Sequence, residues 1–193
     1  MTIRPGEEWG VRVDLPASAA VAHTDAEAAS ADRGADVVLA GGDLHRSVGS
    51  PGPRDPVQRV DVDGLRVRLD GGPAHWGIAH VVMRRGWWRG PIVAVMNVDH
   101  LGDWYVAPRA HPGDGRFDVV EVSPGMSRRD RLGARTRLPT GAHVPHPDIT
   151  TSRSTHRDWE FVRPVGVWLD GVRIGTATSV DVELVPDHYV VHF

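Results

Sequence analysis

Lysine and cysteine are both missing from this 193-residue chain. Without lysine there is no Schiff-base amine and no phosphate-loop Lys; all 22 Lys/Arg-type cations are arginines. Without cysteine, disulfides, thiolate metal sites and cysteine nucleophiles are excluded. The longest aliphatic run, Ile92 to Met96, is far too short to cross a bilayer. The opening MTIRPGEEWG is charged and has no apolar core of the kind a signal peptide needs. No internal repeat, low-complexity tract or nucleophile-elbow sequence is found. The formal net charge of −3 gives no global pull toward nucleic acid or an anionic membrane. A soluble, cytoplasmic protein with no transmembrane segment and no nucleic-acid partner is expected.

What is present divides into two parts. In the first 50 residues, Thr24-Asp25-Ala26-Glu27 fits a capping box, which predicts a short helix over Asp25 to Arg33 with Gly34 at its C-cap. A buried strand, Asp36 to Ala40, then runs into Gly41-Gly42-Asp43. Ser50 to Pro56 holds three prolines and a glycine and reads as a linker. From Val57 to Phe193 the signals are β. Val57 to Val62 and Leu65 to Leu69 alternate around Asp63-Gly64, a hairpin dipeptide. Further strands are expected at Gly77 to Arg84, Pro91 to Asn97, Phe117 to Val122, Trp159 to Phe161, Gly166 to Leu169, Ser179 to Leu184 and Tyr189 to Phe193. Ser127 to Arg137 is the exception, a helix with Ser127 as its cap. Such spacing suggests an antiparallel sandwich or barrel over residues 57–193, after a small α/β segment over residues 1–50.

Several constellations bear on chemistry. Gly41, Gly42 and Asp43 follow a strand directly, the place where a glycine turn lets a phosphate reach backbone amides. Asp170-Gly171 is explained completely by a hairpin turn between two strands. His143, His146 and Asp148 form a His-dense segment that suits zinc only with a remote partner such as His111 or His156, and spacing fixes none. Arg128, Arg131 and Arg135 share one helical face at i, i+3 and i+7, and arginine suits phosphate through paired hydrogen bonds. A solvated charged face is the plainer reading. Trp87-Trp88 falls at a turn, where the pair suits an apolar ligand mouth, a dimer or partner contact, a membrane-surface anchor or a buried cap.

Taken in order, Asn97, LGDWYVAPRAHPGDGRFDVVEV (Leu101 to Val122), LPTGAHVPHP (Leu138 to Pro147) and VWLDGV (Val167 to Val172) resemble the C-terminal β domain of the diacylglycerol and sphingosine kinase family, in its bacterial branch. The resemblance implies that residues 57–193 form an antiparallel β-sandwich with residues 1–50 packed on it as a small α/β remnant. It also implies a lipid or other apolar ligand, with the arginine run near the edge of a lipid cleft. It implies an ATP loop at Gly41 to Asp43, where the family's Gly-Gly-Asp-Gly-Thr has become Gly-Gly-Asp-Leu-His. It implies a structural Mg²⁺ or Ca²⁺ near Asp114, with Asp118 second. The family's general base, the acid after an Asp-Gly turn, is here Val172, so Asp170 is the only carboxylate left as a catalytic candidate. A lipid-kinase-related protein without kinase activity, acting as a lipid-binding or interaction module, is the leading expectation. A minimal or oligomeric ATP-dependent lipid kinase is the alternative. Peripheral membrane contact and a homo-oligomeric or protein partner are the further partner expectations.

Overall fold

The computed structural model describes residues 9–50, 52 and 56–193. The N-terminal segment supplies strands β1 (Val11–Val13), β2 (Ala20–Ala22) and β3 (Asp36–Leu39), with helices α1 (Asp25–Ala29) and α2 (Gly42–Ser47). Strands β4 (Val57–Leu69), β5 (Ala74–Gly77), β6 (His80–Arg84) and β7 (Ile92–Met96) follow. A small hairpin, β8 (His100–Leu101) with β9 (Trp104–Tyr105), precedes β10 (Phe117–Val122). Helix α3 (Arg128–Arg137) runs into a 3-10 turn at Leu138–Thr140. The chain closes with β11 (Ile149–Ser154), β12 (His156–Leu169) and β13 (Val172–His192).

The main sheet runs β1-β4-β13-β12-β6-β7-β10-β11, antiparallel throughout, and β5 adds to β4. Two parallel ladders, β13 with β3 and β3 with β2, attach the N-terminal segment. The architecture is the expected β-sandwich. Its main core comes from inward-facing residues such as Leu65, Val81, Met83, Phe117, Val167 and Val182, each sealed from solvent. Burial of side chains of this size stabilises by about 1.5–3 kcal/mol apiece. A second cluster joins Ala28, Val37 and Leu44 of the N-terminal segment to Val62, Ile78 and Tyr189 of the sandwich. A third lies beneath α3, around Ala94, Met96, Val120 and Ala134.

Three expectations are corrected. Asp63-Gly64 is not a turn: β4 runs straight through it for 13 residues. The opposite strand departs instead, for β13 loses register between Val185 and Tyr189. The Asp63 carboxylate accepts from the amides of Asp187 and Gly115. His188 packs over Gly64 so closely that a Cβ there would lie 2.9 Å from the His188 Cβ and 3.0 Å from its ring. Second, the strands expected separately at Trp159 and Gly166, and at Ser179 and Tyr189, are single long strands, β12 and β13, each carrying a bulge. Third, α1 stops at Ala29 rather than Arg33, where the Ser30 hydroxyl donates to the Glu27 carbonyl. The expected linker at Ser50 to Pro56 and the N-terminal MTIRPGEEWG fall largely outside the described residues.

Candidate functional site

Four elements converge on one polar junction. Thr24 caps α1 by accepting from the Glu27 amide, which fixes Asp25 in the first turn. The Asp25 carboxylate points at the start of α2, accepting from the amides of Asp43 (2.7 Å) and Leu44 (3.0 Å). Asp43 accepts from the Gly102 amide through Oδ1 (2.9 Å), and its Oδ2 meets Nε2 of His80 at 2.9 Å. His80 opens β6, and its backbone amide donates to Asp170. Asp170 is buried in the β12–β13 turn and accepts from the amides of Ile78, Ala79 and His80 at 2.8–2.9 Å.

The glycine pair has a local cause. A Cβ on Gly42 would sit 2.4 Å from Asp25 Oδ1, and the residue holds φ +92°. A Cβ on Gly41 would meet the His23 carbonyl at the same 2.4 Å. Glycine is therefore required by the close crossing of α1 and α2. The amides that a phosphate would use at this turn are held by an internal carboxylate.

Burial dominates the electrostatics. It raises the Asp25 pKa to about 6, helped by the charges of Asp170 and Asp43 and opposed by the two amides. Burial also raises Asp170. On His80, burial opposes the charged ring but is outweighed by Asp43, Asp170 and Asp25, and the net shift is upward. Asp43 is lowered: the bonds from His80 and Gly102, with the Arg46 charge, overcome its desolvation. Ligand atoms of Asp25, Asp43 and His80 lie within 4.8 Å of one another, a grouping that could hold a metal ion.

Beside this junction lies an apolar cavity of about 100 Å³ under α3. Val82, Ala94 and Val120 of the sheet form its floor, and Leu101, Trp104 and Ala134 close it from above. The β8–β9 hairpin thus faces both sites, because its Gly102 is the residue gripped by Asp43. Trp87 and Trp88, 36% and 40% exposed, stand at the rim. Trp87 packs edge-on against Trp104 at 5.3 Å, and Arg135 lies 5.8 Å and 5.7 Å from the rings of Trp88 and Trp104. His143 also lines the cavity, buried.

The remaining sequence candidates are placed as follows. Arg128 and Arg135 are exposed, but Arg131 does not share their solvated face. Its guanidinium is buried and donates to the carbonyls of Met126, Trp87, Gly90 and Ser123, tying α3 to two loops. Asp114 and Asp118 do come together, but around Arg153, which pairs with both. A guanidinium occupies the space between the two carboxylates, so as arranged they do not fit a Mg²⁺ or Ca²⁺ site, which needs several free oxygens. Among the described residues the His-dense segment forms no metal cluster: His146 accepts from the Asp148 amide, and His143 turns into the cavity. Nothing in the sequence marks Asp25 or His80 as a site residue. Asp25 carried only a first-turn acid signal, and its partners lie 18 and 19 residues away.

Residues 57–192 match the family model described as the YegS C-terminal NAD kinase beta sandwich-like domain. Among solved structures, a candidate diacylglycerol kinase from Bacillus anthracis superposes with a TM-score of 0.59 at 13% identity. That match covers 81% of this chain and 69% of the other. A diacylglycerol kinase from the same organism gives 0.54 at 13% identity, over 81% of this chain and 66% of that one. At such identity the likeness is one of fold. No curated protein matches the chain, and no helix among the described residues is long and apolar enough to cross a membrane.

Proposed function

The chain belongs to the YegS C-terminal β-sandwich family, related in fold and domain to diacylglycerol and other lipid kinases, and from that premise we propose that it binds lipid or a similar apolar ligand without phosphorylating it. One observation carries the reading. The apolar cavity under α3 has room for the end of an aliphatic chain, whereas the glycine turn beside it has its Asp43 and Leu44 amides filled by Asp25. A buried anion already bonded to those amides competes with any phosphate for the same donors. Catalysis is further disfavoured at Asp170. Its carboxylate oxygens accept three backbone amides and pin the β5–β6 connection, which is a structural task. Val172, in the position of the family's acid, cannot accept a proton and is 53% exposed. Trp87, Trp88 and Arg135 suit the rim of such a cavity, since indole rings and a guanidinium tolerate a lipid interface.

The test is thermal unfolding of the pure chain with dioctanoylglycerol, Mg·ATP and Mg·ADP added separately. A ligand at tenfold its Kd stabilises by about 1.4 kcal/mol, which raises Tm by about 3–6 °C for a chain of this size. The expected result is a rise with dioctanoylglycerol and none with nucleotide. A rise with Mg·ATP alone would sink the proposal. It would favour the alternative, a minimal ATP-dependent lipid kinase, to which the close grouping of Asp25, Asp43 and His80 lends support. That alternative requires magnesium-dependent nucleotide binding that disappears in Asp43→Ala.

A further inference from the structure

The cavity under α3 is apolar apart from His143, Arg131 and, at its rim, Arg135. His143 is 3% exposed, it lines the cavity, and neither Nδ1 nor Nε2 finds a hydrogen-bond partner. The backbone of Val106 acts weakly on the ring but completes no bond to it. The other polar side chain reaching inward, Arg131, is engaged by four carbonyls. An imidazole buried with both nitrogens unpaired is costly, and such a group calls for a partner.

We propose that His143 is the specificity-determining residue of this cavity, selecting an aliphatic ligand that carries a hydroxyl group. The inference rests on the lipid-binding reading and adds to it the residue that reads the ligand. Burial disfavours the charged ring, and the neutral imidazole has one nitrogen able to donate and the other able to accept. A hydroxyl can serve either nitrogen, because it both donates and accepts. A pure hydrocarbon would leave the ring unsatisfied. A carboxylate or ammonium would lose its hydration against walls built from Val82, Ala94, Val120 and Leu101. A charged end belongs instead at the rim, beside Arg135.

The experiment compares 1-pentanol with n-hexane, which replaces the hydroxyl by a methyl group, on the full chain and on His143→Leu. Binding is followed by NMR titration, with the ring nitrogens observed in ¹⁵N-histidine-labelled protein. The expected result is a shift of the His143 ring signals with pentanol and none with hexane. His143→Leu should weaken pentanol about tenfold, the factor carried by one buried hydrogen bond, and leave hexane bound as before. If both probes bind, the His143 signals stay still and the variant weakens neither selectively, His143 reads nothing and the proposal is overturned, while the cavity remains a lipid site. If neither probe binds, the cavity itself is not a ligand site, and the proposal falls with the reading beneath it. Should His143→Leu fail to fold, the ring shifts in the unaltered chain decide alone, and a partial retention of pentanol preference in His143→Gln supports the same conclusion.

Discussion

The Asp25 carboxylate supplies a demanding test of the polar junction. Its pKa stands at about 6 in the folded chain against an ordinary 3.8. Raised in the folded state, it favours the native protein when protonated and opposes it when ionised. Its contribution is therefore fully favourable below about pH 4 and is lost as pH climbs through about 6. At 1.36 kcal/mol per pH unit, the whole interval is worth about 3 kcal/mol, and about 2 kcal/mol of it falls between pH 4 and pH 7. Replacing the residue by asparagine removes the titration but keeps the shape. Asp25→Asn loses one acceptor for the Asp43 and Leu44 amides, a fixed cost of about 1–2 kcal/mol that does not depend on pH.

The assay is urea unfolding of both proteins at half-unit steps over that range, reading the difference between them rather than either curve. Taking the difference matters because other groups titrate in the same window. Burial raises Asp63, Asp118 and Asp170 as well, and burial lowers His111 and His188, which pull the other way. The two curves should approach at high pH and separate by about 2 kcal/mol as pH falls to about 4, with the unaltered protein gaining. Curves that stay parallel would mean Asp25 ionises as it does in water. The claim that it acts as a desolvated anion on the glycine turn would then fail.

Asp170→Ala strips the acceptor from three buried amides, so stability should drop by about 3 kcal/mol, with fast hydrogen exchange confined to Ile78, Ala79 and His80. Unchanged exchange at those amides would refute the structural role. Arg131→Met leaves four carbonyls without their donor and should cost about 3 kcal/mol, whereas Arg128→Met on the exposed face should stay within about 0.5 kcal/mol. Urea midpoints that fall equally would contradict the buried placement. Asp43→Ala removes the strongest support of the charged His80 ring, so its ring signals should titrate at lower pH by NMR. No downward movement would place the two side chains apart in solution. Gly64→Ala forces the His188 ring from its 4.2 Å stack with Trp76, at about 1–3 kcal/mol, and should change Trp76 fluorescence.

What the sequence tells and withholds here turns on how far each residue's partner lies along the chain. Helix α3 with its Ser127 cap, and strand β10, are legible to the residue, because a cap and a short apolar run are settled within a few positions. The Asp-Gly dipeptides teach the opposite lesson. At 70–71 and 170–171 both residues take positive φ and turn the chain between neighbouring strands. At 63–64 the same pair stays in a continuous strand, because the amides of Asp187 and Gly115 arrive from 124 and 52 residues away to claim the carboxylate. Local preference for a turn, at most a few kcal/mol, gives way to a cross-strand ladder running the length of β4. The Gly41-Gly42 turn was placed correctly, yet the reason for its glycines was not the one sequence suggests. A phosphate loop and a tight crossing of two helices ask for the same residues, and only the position of Asp25 separates them. Arg131 and His143 make the same point in side chains. Each looked like a surface or ligand-seeking residue by type, and each proved buried, one saturated with carbonyls and one with none of its bonds made. The difference between those two states, invisible in composition, separates a residue that holds the fold from one left free to read a ligand.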